Sequence, residues 1–276
     1  MRSLLVLNAK SRRGAECAEL VRATLRDCGA ELVEERTAAT AATVDSVIAA
    51  GGDGTLISAV EAAIGLGAPL GIIPLGTFND LARSFGLPLD VVRACRVATG
   101  SSTRAIDVGR VNGRYFVNEA SIGLSTRIAR RQTLEIKRNF GFLGIAGTTL
   151  QTLSQSRPFH AEIEYDGKTE YLRTIQITIA NNAHFGGLFD NPDAAIDDNR
   201  LDLYSIEVRN WFGVLPILRK LIARDPRAVG GLRMRGSTRF VVRTPHSHHV
   251  FADGEPAGFT PATFEVLPRA LRVFVP

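Results

Sequence analysis

Over the first hundred residues, short apolar runs alternate with amphipathic stretches. Residues 3–7 read as a strand, and residues 14–27 as a helix whose buried side would carry Leu20, Val21, Ala23 and Leu25, with Gly29 as its stop. Residues 30–35 and 46–50 follow as strands, 55–66 as a helix and 70–73 as a fourth strand. Strands that are apolar throughout and interleaved with helices predict a parallel sheet covered on both faces. Only about eight residues, 37–44, join the second and third strands. A parallel crossover takes roughly 10–12 or more, so the helix of that link is expected to shrink to a turn or two.

After a helix at 89–98 the texture changes to strands and hairpins. Residues 104–111 and 114–117 flank Asn112-Gly113, while 159–165 and 168–179 flank Asp166-Gly167. Both dipeptides favour two-residue hairpin turns. Helical stretches are expected at 123–132, 142–153 and 211–222, and short strands at 239–242, 249–252, 263–266 and 271–275. The pattern therefore divides the chain near residue 104 into an α/β part and a β-rich part.

Composition narrows the function classes. The 276 residues carry 33 basic and 28 acidic side chains, a net charge of +5, too dilute for a nucleic-acid binder. Cys17, Cys28 and Cys95 are odd in number and widely spaced, which offers neither a disulfide framework nor a zinc knuckle and points to a reducing, cytoplasmic interior. Residues 4–7 are too short a run for a signal-peptide core. The most apolar later window, 55–74, contains Glu61, three glycines and Pro69, so no transmembrane segment is expected.

Two turns carry the candidate chemistry. Gly51, Gly52, Asp53, Gly54 and Thr55 sit between a strand and a helix, where glycine lets backbone approach a ligand and the helix dipole favours phosphate. An acid there repels phosphate unless a cation is shared, so Asp53 suggests Mg²⁺; the competing reading is a tight turn with Asp53 as helix cap. A second turn, with Gly76, Thr77, Asn79 and Asp80, leaves the next strand at the same sheet rim, where open α/β folds bind ligands. Asn79 or Asp80 could equally cap the helix that follows.

With these two turns, residues 8–14 (Ala9 standing where the pattern has Pro), Asp107 within Ile106-Asp107-Val108-Gly109, Gly186-Gly187, residues 192–203 and Asp253-Gly254-Glu255-Pro256, the chain resembles the diacylglycerol kinase catalytic-domain family. These are bacterial lipid kinases that are also similar to sphingosine and ceramide kinases. The resemblance spans nearly the whole chain and implies the fold class α/β + β: a Rossmann-like α/β nucleotide domain over residues 1–104 and a β-sandwich-like domain over 105–276, the last strand free to return to the first domain, with ATP in the cleft between the two. Asn8, Thr37, Gly52, Asp53, Gly54, Thr55, Gly76, Thr77 and Asn79 would line the nucleotide. Asp53, Asp80 and Asp107 would surround Mg²⁺, and Asp253 and Glu255 would lie near the acceptor hydroxyl. A structural Mg²⁺ would map to the Asp198 side chain and the carbonyls of Ala195 and Arg200, with Asn199 in place of the usual glycine. Ile57-Ser58 stands where the family commonly has Asn-Glu, which removes any nucleotide contact from those side chains.

Glu255 lies where a strand enters a turn, a position from which a carboxylate can be aimed at an acceptor hydroxyl; an ordinary Asp-Gly hairpin is the alternative. His246 and His248 share one strand face, but no nearby Cys or acid completes a zinc site. Arg127, Arg130, Arg131, Lys137 and Arg138 precede Phe140, Phe142, Leu143 and Ile145, and a second basic-apolar group runs from Trp211 to Arg227. Such surfaces could dock peripherally on an anionic membrane, the partner a lipid kinase needs, or they are amphipathic helices packed on the sandwich. The expected activity is ATP- and Mg²⁺-dependent phosphorylation of diacylglycerol. A sphingoid base, NAD or a soluble alcohol as acceptor, and a nucleotide-binding module without turnover, stay open, as does a homodimer.

Overall fold

The computed structural model describes residues 1–9, 11–34, 44–76, 79–123, 157–181, 184–185, 189–190, 195–207 and 232–276. The first part runs β1 (Arg2–Leu7), α1 (Arg12–Asp27), β2 (Glu31–Glu34), β3 (Ser46–Gly51), α2 (Asp53–Leu66), β4 (Leu70–Pro74), α3 (Asp80–Ser84) and α4 (Val91–Ala98). The strands pair in parallel in the order β2-β1-β3-β4. Alternation along each strand supplies both faces: Leu4, Val6, Val47 and Ala49 pack with α2, while Leu5, Ile48, Ala50 and Ile73 pack with α1 and α4. Cys95 lies in the second of these cores, where burial pushes its thiol up to about 12. No helix among the described residues is long and apolar enough to cross a membrane.

Helix α1 corrects one expectation. It begins at Arg12 behind Ser11, whose hydroxyl caps the Gly14 amide, and its buried stripe is Gly14, Ala18, Val21, Thr24 and Leu25. Leu20 is 48% exposed and Ala23 is also at the surface. Leu20 sits one residue, about 100°, off a stripe whose position the helix inherits from its packing on α4 and the sheet.

The second part comprises β5 (Thr103–Val111), β6 (Arg114–Phe116), β7 (Glu119–Gly123), β8 (Phe159–Tyr165), β9 (Lys168–Thr174), β10 (Gln176–Ala180), β11 (His184–Phe185), β12 (Phe189–Asp190), β13 (Leu201–Ile206), β14 (Leu232–Ser237), β15 (Arg239–Arg243), β16 (His249–Ala252), β17 (Glu255–Phe259) and β18 (Ala262–Phe274). One sheet runs β14-β13-β10-β7-β16-β17, with every pair antiparallel. It faces β18-β15-β8-β9, and Ile122, Ile177, Leu203 and Val250 meet Ile163, Phe240 and Phe264 in the core between them. Both predicted hairpin turns have positive φ at each central residue, 49° and 84° at Asn112-Gly113 and 47° and 71° at Asp166-Gly167. The α/β + β class read from the sequence is therefore the observed one.

Two strand boundaries differ from the sequence reading. Residues 168–179 form two strands in different sheets, because the Thr174 hydroxyl donates to the Gln176 and Ile206 carbonyls and turns the chain at Ile175. Residues 263–275, read as two strands, are one, β18, bulged between Leu267 and Leu271. This strand pairs with β15 and β5, and Val273 pairs in parallel with Leu70 of β4, so the large sheet runs unbroken through both parts. At the opposite margin Arg235 and Arg233 of β14 clasp Glu170 of β9 and tie the two sheets together. Chiefly through the Arg235 hydrogen bond, Glu170 is held down at about 2. Of the helical stretches expected at 123–132, 142–153 and 211–222, only Gly123 is described, and it ends strand β7; the rest, both basic groups and most of the 37–44 link lie outside the described residues.

Candidate active site

Two glycine turns meet at the rim of the parallel strands. The Leu75 amide donates to the Gly51 carbonyl at 2.8 Å, and a Cβ on Gly76 would stand 2.6 Å from the Gly52 Cα. The backbones touch, so this crossing leaves no room for a side chain. A Cβ on Gly51 would likewise meet the Thr55 hydroxyl at 2.3 Å. Gly52 caps α2 without any side-chain bond, and Asp53 is the first helical residue, which sets aside the reading of Asp53 as helix cap. Asn79 has φ 51° and brackets Gly76, accepting from its amide at 2.9 Å and donating to its carbonyl at 2.8 Å. It thus shapes the second turn. Asn8 leaves the end of β1 on the same rim, its amide bonded to the Ala50 carbonyl and its carbonyl receiving the Ser11 hydroxyl.

The acidic turn of the second part comes to this rim. Asp253 and Gly254, at φ 45° and 84°, are the two central residues of the β16–β17 hairpin, and Glu255 opens β17. A Cβ placed on Gly54 would lie 3.8 Å from Oε1 of Glu255, so the exposed Glu255 carboxylate faces the start of α2. The Asp253 carboxylate turns inward instead and accepts from the amides of Val117 (2.7 Å), Asn118 (3.0 Å) and Glu119 (2.9 Å). These bonds give Asp253 a supporting role: it fixes the turn that carries Glu255.

Burial pushes the Asp253 carboxyl up to about 6; the three amides pull the other way, and the charge of Asp53 adds to the rise. The folded chain then keeps this proton to higher pH than the unfolded chain, so stability falls as the pH rises from about 4 to about 6. Asp253→Asn removes the titration. In urea unfolding at pH 4, 5 and 6, the wild type is expected to lose stability relative to this variant as pH rises; a pH-independent difference would mean that Asp253 is ionised throughout.

Asp107 occupies a different environment from the one its assignment to Mg²⁺ implies. It is 1% exposed, with Oδ2 accepting from the Asn199 amide (2.6 Å) and Oδ1 from the Arg269 amide (2.8 Å). Both partners are left-handed, at φ 58° and 50°. The carboxylate therefore pins the 195–200 loop and the β18 bulge to β5. In that loop Asp198 accepts from the amides of Ala195 (3.1 Å) and Arg200 (2.9 Å) and closes the turn. The Asp198 carboxylate and the Ala195 and Arg200 carbonyls are an all-oxygen donor set, which suits a hard divalent cation. Among the described residues no three His, Cys, Asp or Glu side chains gather to hold a metal. Thr37, Thr77 and the Asp80 side chain lie outside the description.

Some participants carry no strong local signal. The amides of residues 117–119 act through backbone, and Asn181, 3% exposed, donates to the carbonyls of Asp107 and Val117. Asn181 stands at the start of a polar, glycine-rich run of sequence, the one hint the sequence offers. Ile57 packs into the core beneath α2, so its side chain serves the fold and Ser58 faces outward.

Residues 2–111 match the diacylglycerol kinase catalytic domain, and residues 118–275 match the YegS C-terminal NAD kinase beta sandwich-like domain. A diacylglycerol kinase of Bacillus subtilis is 30% identical over 237 residues, covering 84% of this chain and 78% of that one. A Klebsiella pneumoniae protein described as a "probable lipid kinase YegS-like" is 31% identical, covering 99% and 96%. The crystal structure of a diacylglycerol kinase from Bacillus anthracis shares the fold, with a TM-score of 0.79 at 24% identity, over 100% of this chain and 97% of that one.

Proposed function

Since the chain belongs to the diacylglycerol kinase catalytic-domain family and is thereby a lipid kinase, we propose that it transfers the γ-phosphoryl group of ATP to the hydroxyl of diacylglycerol, with Mg²⁺. The observation that carries this reading is the approach of Glu255 to Gly54. It sets a carboxylate from one part of the molecule against the glycine turn and helix N-terminus of the other.

The crossed turns of Gly51, Gly52 and Gly76 bring bare backbone to the phosphates, and the N-terminus of α2 adds the positive end of its dipole. Glu255 accepts the proton of the acceptor hydroxyl as its oxygen bonds to the γ-phosphorus and the bond from that phosphorus to the β-phosphate oxygen breaks, releasing ADP. Asp253 keeps that carboxylate in place through the 117–119 amides. Asp53 stands close enough to Asp253 to raise it, so a cation held by Asp53 would relieve this repulsion. Mg²⁺ there would neutralise phosphate charge as it builds during transfer. Asp198, with the Ala195 and Arg200 carbonyls, would hold a second, structural ion.

The test is incubation with labelled ATP, Mg²⁺ and a total lipid extract, with Asp53→Asn as the paired variant. The expected label is in phosphatidate with wild type and absent with the variant. Label in a sphingoid base or a soluble alcohol would move the acceptor, and ATP hydrolysis without labelled lipid would end the reading.

A further inference from the structure

Four of the chain's five histidines meet at one end of the sandwich, remote from the glycine turns. His160, His246, His248 and His249 line a cavity of about 500 Å³ together with Arg157 and Phe159. Among the described residues its remaining lining is Gly123, Pro158, Pro245 and Ser247, none of them a carboxylate. The loop that carries three of these rings is braced. The Thr244 hydroxyl donates to the His246 carbonyl and meets the Thr260 hydroxyl, while the His248 amide donates to the Thr260 hydroxyl and the Thr260 amide to the His248 carbonyl, both at 2.9 Å. Two rings are also stacked, His248 on Phe159 at 4.3 Å and His249 on Phe259 at 4.5 Å.

We propose that this cavity takes the phosphate of an anionic phospholipid headgroup and docks the sandwich end on a membrane. An imidazole donates a ring N–H whether neutral or charged, and Arg offers a fork of donors, so the lining matches phosphate oxygens. The rim favours an amphiphile over a soluble acidic ligand. Tyr171, 76% exposed, and Phe259, 52% exposed, are the large exposed aromatics among the described residues, and both lie at this end. Phe259 stacks on the cavity wall, while Tyr171 and Leu172 line a neighbouring groove of about 580 Å³ that shares His160 and Pro245. Aromatic rings with one apolar and one wet side suit a membrane interface. Among the described charges beyond the cavity, Glu162 and Glu164 share Arg243 at 2.9 Å and Arg173 stands opposite His160 in the ladder, so these cancel and the cavity keeps the positive charge of Arg157.

Strand β16 runs from this cavity, at His249, to the turn that bears Glu255. Four residues of strand span roughly 13 Å, whereas a headgroup phosphate and its glycerol oxygens are a few bonds apart. The cavity therefore holds a lipid other than the one being phosphorylated. The inference rests on the lipid-kinase reading only for the need to reach a membrane, and its readout requires no turnover.

The test is co-sedimentation at neutral pH and constant ionic strength with phosphatidylcholine vesicles, with and without phosphatidylglycerol. Arg157→Gln, His160→Gln and His246→Gln are combined; all three sites are exposed and lie outside the core. Wild type is expected to favour the phosphatidylglycerol vesicles, and the triple variant to bind them at least about fivefold more weakly, the loss of roughly one cationic contact at an anionic surface. Equal binding, or an equal loss from Arg26→Gln on α1, would overturn the proposal. Release of wild type by millimolar inorganic phosphate would assign the cavity to the free ion and also end the membrane reading. Vesicle binding through the cavity without any lipid labelled by ATP would support the proposal while retiring the kinase reading.

Discussion

Glu255→Gln is expected to lower kcat by about 10² to 10⁴ and to leave ATP affinity nearly unchanged. The amide keeps the size and a hydrogen-bonding group but cannot take the acceptor's proton, and assistance of that kind is typically worth about this much. Glu255 is exposed, and Asp253 rather than Glu255 carries the bonds that hold the turn. The variant should therefore fold as the wild type does. A loss concentrated in kcat marks an interaction made mainly in the transition state. Lipid-kinase rates are set beside titration with a non-hydrolysable ATP analogue. If the substitution weakens analogue binding as much as it slows turnover, Glu255 belongs to the nucleotide side and the acceptor assignment fails.

Asp107→Ala should act on the fold itself. It removes the carboxylate that accepts from two part-buried amides, those of Asn199 and Arg269, and a hydrogen bond to a charged group is worth about 1.5–3 kcal/mol. The sum, about 3–6 kcal/mol, is a large part of the 5–15 kcal/mol by which a folded domain is typically stable. Both amides belong to left-handed residues, so the loop and the bulge lose their tether as well as a bond. The variant's urea midpoint should drop sharply, whereas Asp107→Asn, which keeps one acceptor, should fall between. A wild-type midpoint for Asp107→Ala, combined with lost Mg²⁺ dependence of turnover, would return Asp107 to the metal.

The contrast between these two carboxylates shows what the sequence discloses. The glycine turns were legible because their chemistry is local: a strand, two or three glycines, an acid and a helix lie within a few residues, and Gly52 and Gly76 each follow their own strand. Asn199 was legible for a similar reason, since asparagine tolerates the left-handed backbone that it adopts. Asp107 looked like a third member of the acidic set, yet its role is set by partners 92 and 162 residues away. Asp253 and Glu255 share one Asp-Gly-Glu turn, and only the distant amides of 117–119 decide which of them faces inward. Similarly, the division of residues 168–179 depends on Thr174 reaching Ile206. The β18 bulge depends on the same long-range contact, through Asp107 and Arg269. Alternation alone could register neither.

Strand β18 has a consequence for how the molecule is made. Its Val273 pairs with Leu70, so the edge of β4 lacks its neighbour until about two hundred further residues have been synthesised. At about 5–20 residues per second, that edge stays open for roughly 10–40 seconds on the ribosome. During that interval the nascent nucleotide-binding half presents an unpaired strand edge, which invites pairing with other chains. Its native protection arrives only with β18, so the parallel strands depend on a segment made about two hundred residues after them.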